Sequence, residues 1–180
     1  MGYIGQRKGA FDLIKAFASL PEKEQNDSIL IMAGDGEVEA AKDLVASHNL
    51  SDRIIFPGWI GTEERDSLLS EVNIFVLPSY NEGMPLSMLE AMAWELPVVV
   101  TPAGGIGEVV TDGENGLIVE PGNIEQLKDA IKSLIADENL RLSLADKARK
   151  SMVPQDIKNY WLSFLDIYYS VVKSSSQSSK

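Results

Sequence analysis

The sequence predicts an α/β fold, a doubly wound parallel sheet with helices packed on its faces. Three observations carry that expectation. The apolar residues fall into short unbroken runs and do not alternate with polar ones. Stretches of helical spacing separate the runs, and a glycine-containing loop follows nearly every run on its C-terminal side. Short, continuous, β-branched runs are the mark of parallel strands covered on both faces. Strands that alternate with helices wind into such a sheet.

The elements follow in order. The chain opens at Met1-Gly2, beside a strand-to-helix turn with almost no strand before it. Helices need a sheet on one face, so a truncated first strand and an excised fragment are expected. Residues 11–20 place Phe11, Ile14, Phe17 and Ala18 on helical spacing. Strand runs follow at 29–33, 54–56, 74–77, 98–100 and 117–119. Helical stretches lie between them at 38–47 and 62–70, the second opened by Thr62 with Glu63 and Glu64 behind it, a favourable start. Pro85 suits the first turn of a helix running to Trp94. Asn123 with Gln126 resembles a capping box before Leu127, Ile131 and Leu134. Residues 156–172 form a strongly amphipathic pattern through Ile157, Trp161, Phe164, Leu165 and Tyr168. The expected organisation is one domain over 1–153, a helix over 154–173 and a Ser-rich disordered tail over 174–180.

Composition removes several classes of function. The 180 residues are 44% apolar and 24% charged, ordinary for one globular domain. No run of 18 apolar residues occurs, so no membrane span is expected. No basic stretch leading into an apolar one opens the chain. There is no cysteine, which excludes disulfides, thiolate metal sites and a cysteine nucleophile. A formal charge of −11 argues against a nucleic-acid surface. There is no Asp-x-Asp pair and His48 is the only histidine, so no catalytic metal and no cofactor are expected. His48, near a helix end, reads as a capping-region residue. No Gly-x-Gly-x-x-Gly opens a helix and no Gly-x4-Gly-Lys-Ser/Thr occurs, which weakens dinucleotide and P-loop readings.

The glycine loops locate the candidate site. Gly34 and Gly36 follow the first run, and Gly58, Gly83, Gly104 and Gly122 follow later ones. Ligands of open parallel sheets bind at that edge. Glycine there lets backbone approach a ligand and aims N–H groups at anions, although each glycine alone could simply turn the chain. Glu90 sits in a helix that is otherwise small or apolar, apart from Ser87. A carboxylate in that setting needs donors. The two hydroxyls of a ribose would serve, and so would a structural salt bridge. Glu82 lies in the loop before the helix, beside Gly83, where the N–H groups of Gly83, Met84 and Leu86 around Pro85 could hold a diphosphate. Glu82 could then accept hydrogen bonds from a sugar, or be a solvated loop acid. Arg7-Lys8 precedes the first helix. It could neutralise a diphosphate and its growing charge as a glycosidic bond breaks, or be surface charge.

Taken together, these residues resemble the C-terminal domain of the GT-B glycosyltransferases of family 4, the retaining group 1 class, over residues 2–150. Glu82 and Glu90 match its Glu-x7-Glu motif, within Glu-Gly-x-Pro and Leu-Glu-Ala-Met-Ala. Pro97-Val98-Val99, Gly104-Gly105-Ile106, Glu108-Val109-Val110, Asp112-Gly113 and Asn115-Gly116-Leu117 fit its next stretch. Gly34-Asp35-Gly36 and Phe56-Pro57-Gly58 fit its earlier loops. The resemblance implies a Rossmann-like half of a GT-B fold and a donor site for a nucleotide-diphosphate sugar. It gives Glu90 the ribose, Glu82 the donor sugar near the reacting carbon, Lys8 the phosphate and Ile60 the base. Gly34 falls among the donor-binding loops. An N-terminal acceptor domain of the same protein would complete the enzyme, in the cytoplasm, with peripheral membrane association as a further expectation. One departure is clear. The family's phosphate-binding Arg is replaced here by Tyr3, and Arg7 stands in the same loop as its candidate substitute. The reading that competes is a nucleotide- or sugar-binding module without transferase activity.

Overall fold

A computed structural model describes residues 2–153 together with Trp161 and Leu165. The expectations for a helix over 154–173 and a tail over 174–180 fall largely outside the described residues. Six strands, β1 (Gly2–Ile4), β2 (Leu30–Gly36), β3 (Ile54–Gly58), β4 (Phe75–Leu77), β5 (Val98–Val100) and β6 (Leu117–Ile118), alternate with helices. The helices are α1 (Ala10–Ala18), α2 (Glu22–Asn26), α3 (Val38–Ser47), α4 (Thr62–Glu71), α5 (Leu86–Ala93), α6 (Ile124–Ala136) and α7 (Glu138–Met152). Short 3-10 turns occupy Gln6–Lys8 and Gly104–Glu108.

Every strand pairing is parallel, as the unbroken apolar runs require. The strands pair in two sets of three, in the orders β1-β2-β3 and β4-β5-β6. The three residues of β1 pair with Gly34, Asp35 and Gly36. No described strand therefore lies between residues 30–33 of β2 and the free edge of β4. A cavity of about 700 Å³ occupies this gap, walled by Leu30, Met32, Phe75 and Leu77 among others.

The core follows from strand periodicity. Val98, Val99 and Val100 are all fully buried, yet they serve two different clusters. Val99 points into the cluster of Ile14, Phe17, Leu127 and Leu134. Val98 and Val100 point into that of Met88, Met92, Ile106 and Ala148. Successive side chains leave opposite faces of a strand, so β5 must be apolar at every position.

Two helix starts differ in detail from expectation. Gly61, not Thr62, is the N-cap of α4, and the Glu64 carboxylate accepts the Gly61 N–H at 2.8 Å. Asn123 does cap α6, accepting from the Gln126 N–H at 3.1 Å. Gln126, however, reaches past the cap to the Glu120 N–H, so only one half of the capping box forms. His48 is the C-cap of α3.

Candidate functional site

Three loops converge at the C-terminal ends of the strands. The turn after β1 carries Arg7 and Lys8. The loop between β4 and α5 carries Ser79 to Pro85. The segment after β5 carries Thr101 and Gly104. Backbone bonds stitch them together. The Tyr80 N–H donates to the Arg7 carbonyl at 2.9 Å, and the Gly105 N–H to the Gly83 carbonyl at 2.7 Å. The Thr101 hydroxyl donates to the Ser79 carbonyl, and both residues are fully buried.

Lys8 and Glu82 meet at the centre. Lys8 Nζ lies 2.6 Å from Glu82 Oε1, and the Ser79 hydroxyl donates to the same oxygen at 2.7 Å. The Glu82 side chain is only 6% exposed, so it is not a solvated loop acid. Burial of a carboxylate requires such partners. Arg7 Nη1 donates to the Asn81 carbonyl at 3.3 Å, which brings a second cation to this loop. Tyr3 is occupied elsewhere, with its hydroxyl 3.5 Å from Glu37 Oε1. Beside this cluster, Gly83, Met84 and Leu86 are exposed and Pro85 is buried. The first N–H groups of α5 have no acceptor inside the helix, and its dipole favours an anion there.

Glu90 stands differently from expectation. Its helix is buried on one side only, through Met88, Ala91 and Met92, while Leu86 is exposed. Glu90 is therefore half-exposed, and it has a protein partner: Arg65 Nη1 lies 2.8 Å from its Oε1. Ile60 sits in the loop after β3, from which α4 and Arg65 arise. Gly34 is not in a loop. It lies inside β2 opposite Gly2, at φ 152°, where a Cβ would fall 1.7 Å from the Gly2 carbonyl oxygen. Close strand approach alone demands glycine there. The large cavity between the sheets reaches the converging loops at Lys8 and also touches Ser87, but it does not extend to Glu82 or Glu90.

Sequence reasoning missed Arg65, Ser79, Thr101 and the Asp12–Tyr80 pair. Arg65 had a signal: it is the only Lys or Arg between Arg53 and Lys128. The Tyr80 hydroxyl donates to Asp12 Oδ2 at 2.6 Å, linking α1 to the site loop. Asp12 is 6% exposed. That hydrogen bond, with burial and the Asp12 charge behind it, raises the Tyr80 hydroxyl above its ordinary 10.0. The folded state therefore holds this proton more tightly than the unfolded state. The stabilisation is complete below pH 10 and is lost as pH rises through the folded value. In alkaline denaturation followed by circular dichroism, Tyr80→Phe is expected to lose less stability than the wild type above about pH 10. Equal losses would refute this linkage.

Among the described residues, no helix is long and apolar enough to cross a membrane, and no three His, Asp or Glu side chains gather to hold a metal ion. The lipopolysaccharide core biosynthesis glycosyltransferase LpsE of Rhizobium meliloti is 35% identical over 156 residues, covering 86% of this chain and 44% of that protein. The chain thus spans less than half of that relative's length. The crystal structure of the C-terminal domain of the group 1 glycosyl transferase LpcC from Francisella tularensis matches with a TM-score of 0.78 and 31% identity, over 84% of this chain and 81% of that one. Anabaena Alr3699/HepE, solved in complex with UDP-glucose, matches with a TM-score of 0.82 and 25% identity, over 94% of this chain and 48% of that one. The family described as glycosyl transferases group 1 matches residues 1–151. That match takes in every strand and each of the converging loops, and the chain belongs to the glycosyl transferases group 1 family.

Proposed function

We propose that this chain is the donor-binding domain of a retaining glycosyltransferase that uses a nucleotide-diphosphate sugar. The observation that carries this reading is the meeting of Lys8, Arg7 and Glu82 beside the open N-terminus of α5. Two cations contact the loop that leads into a helix N-terminus, a combination suited to a diphosphate. Lys8 and Arg7 offset the charge that gathers on the leaving diphosphate, and so act most strongly in the transition state. Glu82, held in place by Lys8 and Ser79, receives the donor sugar. Glu90 receives the ribose, and the backbone near Ile60 receives the base. The leaving phosphate serves as the base for an acceptor arriving on the same face, which retains the anomer. A second, N-terminal domain brings the acceptor, a glycan or a lipid-linked glycan. This domain alone does not turn over.

The test is a calorimetric titration of the protein with UDP, GDP and ADP, repeated on Glu90→Ala. One nucleotide is expected to bind saturably and to weaken at least about tenfold in the variant, about 1.4 kcal/mol. A folded protein that binds none of the three overturns the reading. A protein that binds nucleotide but transfers no sugar beside its acceptor domain is a binding module instead.

A further inference from the structure

We propose that Arg65 is the positioning residue of the nucleoside site, fixing the Glu90 carboxylate so that it selects a ribose diol. The inference rests on the nucleotide-sugar reading above. Arg65 stands in the first turn of α4, and its N–H donates to the Gly61 carbonyl at 2.9 Å. Its backbone is therefore tied to the loop of Trp59 and Ile60. Its guanidinium is held at two points by one neighbour, with Nε and Nη2 donating to Asp66 Oδ1 at 3.1 and 2.9 Å. A planar guanidinium clamped in this way has one direction left for Nη1. That direction ends on Glu90 Oε1 at 2.8 Å.

The contact contributes little to the fold. The two side chains are 27% and 35% exposed, and exposed ion pairs stabilise by about 0–1 kcal/mol. Its effect falls on the carboxylate. Only Oε1 is engaged, and among the described residues no group donates to Oε2. Glu90 therefore presents one open oxygen at a set orientation, beside the loop after β3. A free glutamate would have to be ordered when a nucleoside arrives, and that cost lowers affinity. Among the described residues Glu90 forms an ion pair with no other Lys or Arg. The pair thus joins the element that meets the base to the group that meets the sugar hydroxyls.

The experiment is a titration of the wild type, Arg65→Met, Arg65→Lys and Glu90→Gln with UDP, GDP and ADP. Each is also titrated with the 2′-deoxy and 3′-deoxy forms of the nucleotide that binds best. The wild type is expected to prefer the ribonucleotide by about tenfold. Arg65→Met is expected to weaken the ribonucleotide about fivefold while barely changing the deoxy forms, so the preference falls to about twofold. Arg65→Lys keeps the charge without the fork and should restore part of the preference. An unchanged preference in Arg65→Met overturns the proposal. With unchanged affinity, Arg65 is then a surface ion pair. With equal weakening of ribo and deoxy forms, it acts on the fold, the base or the phosphate. A wild type whose preference needs Glu90 but not Arg65 removes this proposal and leaves the nucleotide site standing. A wild type that binds none of the nucleotides removes both.

Discussion

Lys8→Met is expected to weaken nucleoside diphosphate binding by about 30-fold to 100-fold, the cost of one truncated charge-assisted contact. It is also expected to lower stability by about 2–4 kcal/mol, because it strands a nearly buried carboxylate. The Lys8 ammonium is one of two donors to Glu82 Oε1, and Ser79 alone remains without it. The two effects separate in the double variant Lys8→Met/Glu82→Gln. Removing the carboxylate's charge should return most of the stability, measured by urea denaturation, while nucleotide binding stays weak. If the double variant is as unstable as Lys8→Met, the ion pair is not what holds this loop.

The second large effect is expected at Gly104. Its φ is 59°, and a Cβ there would lie 2.2 Å from the Glu82 carbonyl oxygen and 2.6 Å from that of Gly83. Both contacts are backbone, so the site loop must move or the turn must open. A left-handed non-glycine residue alone costs roughly 1–2 kcal/mol. With the clash added, Gly104→Ala should lose about 3 kcal/mol and most nucleotide affinity. Gly107 supplies the control. It lies in the same 3-10 turn, has no atom within 4 Å of a built Cβ, and has no positive φ. Gly107→Ala should therefore be close to neutral. Equal losses at both positions would mean that the turn itself, and not its approach to the Glu82 loop, sets the effect.

Much of this was legible in the chain. Local patterns gave the strand runs, the helix after Asn123 and the placing of Glu82 and Lys8 in loops at one sheet edge, though not the ion pair between them. Those features depend on residues close in sequence or on the ordering of loops at strand ends. What escaped depends on distance or register. Arg65 reaches Glu90 across 25 residues, and no periodicity encodes such a contact. Gly34 looked like a loop glycine because nothing in the run 29–33 announces that β2 continues to Gly36. Helix α7 was not read as a helix. Its buried side is made of Leu144, Ala145, Ala148 and Met152, and two alanines make a faint apolar stripe in a charged segment. The half-exposure of Glu90 was missed because an all-apolar helix suggests burial on every side. Here one side faces outward beside the converging loops.

The double duty of β5 has a consequence for how changes to the interior combine. Val99 belongs to one apolar cluster and Val98 and Val100 to the other, on a single three-residue strand. A shift of β5 that relieves crowding on one side disturbs packing on the other, so volume changes on its two faces couple and do not simply add.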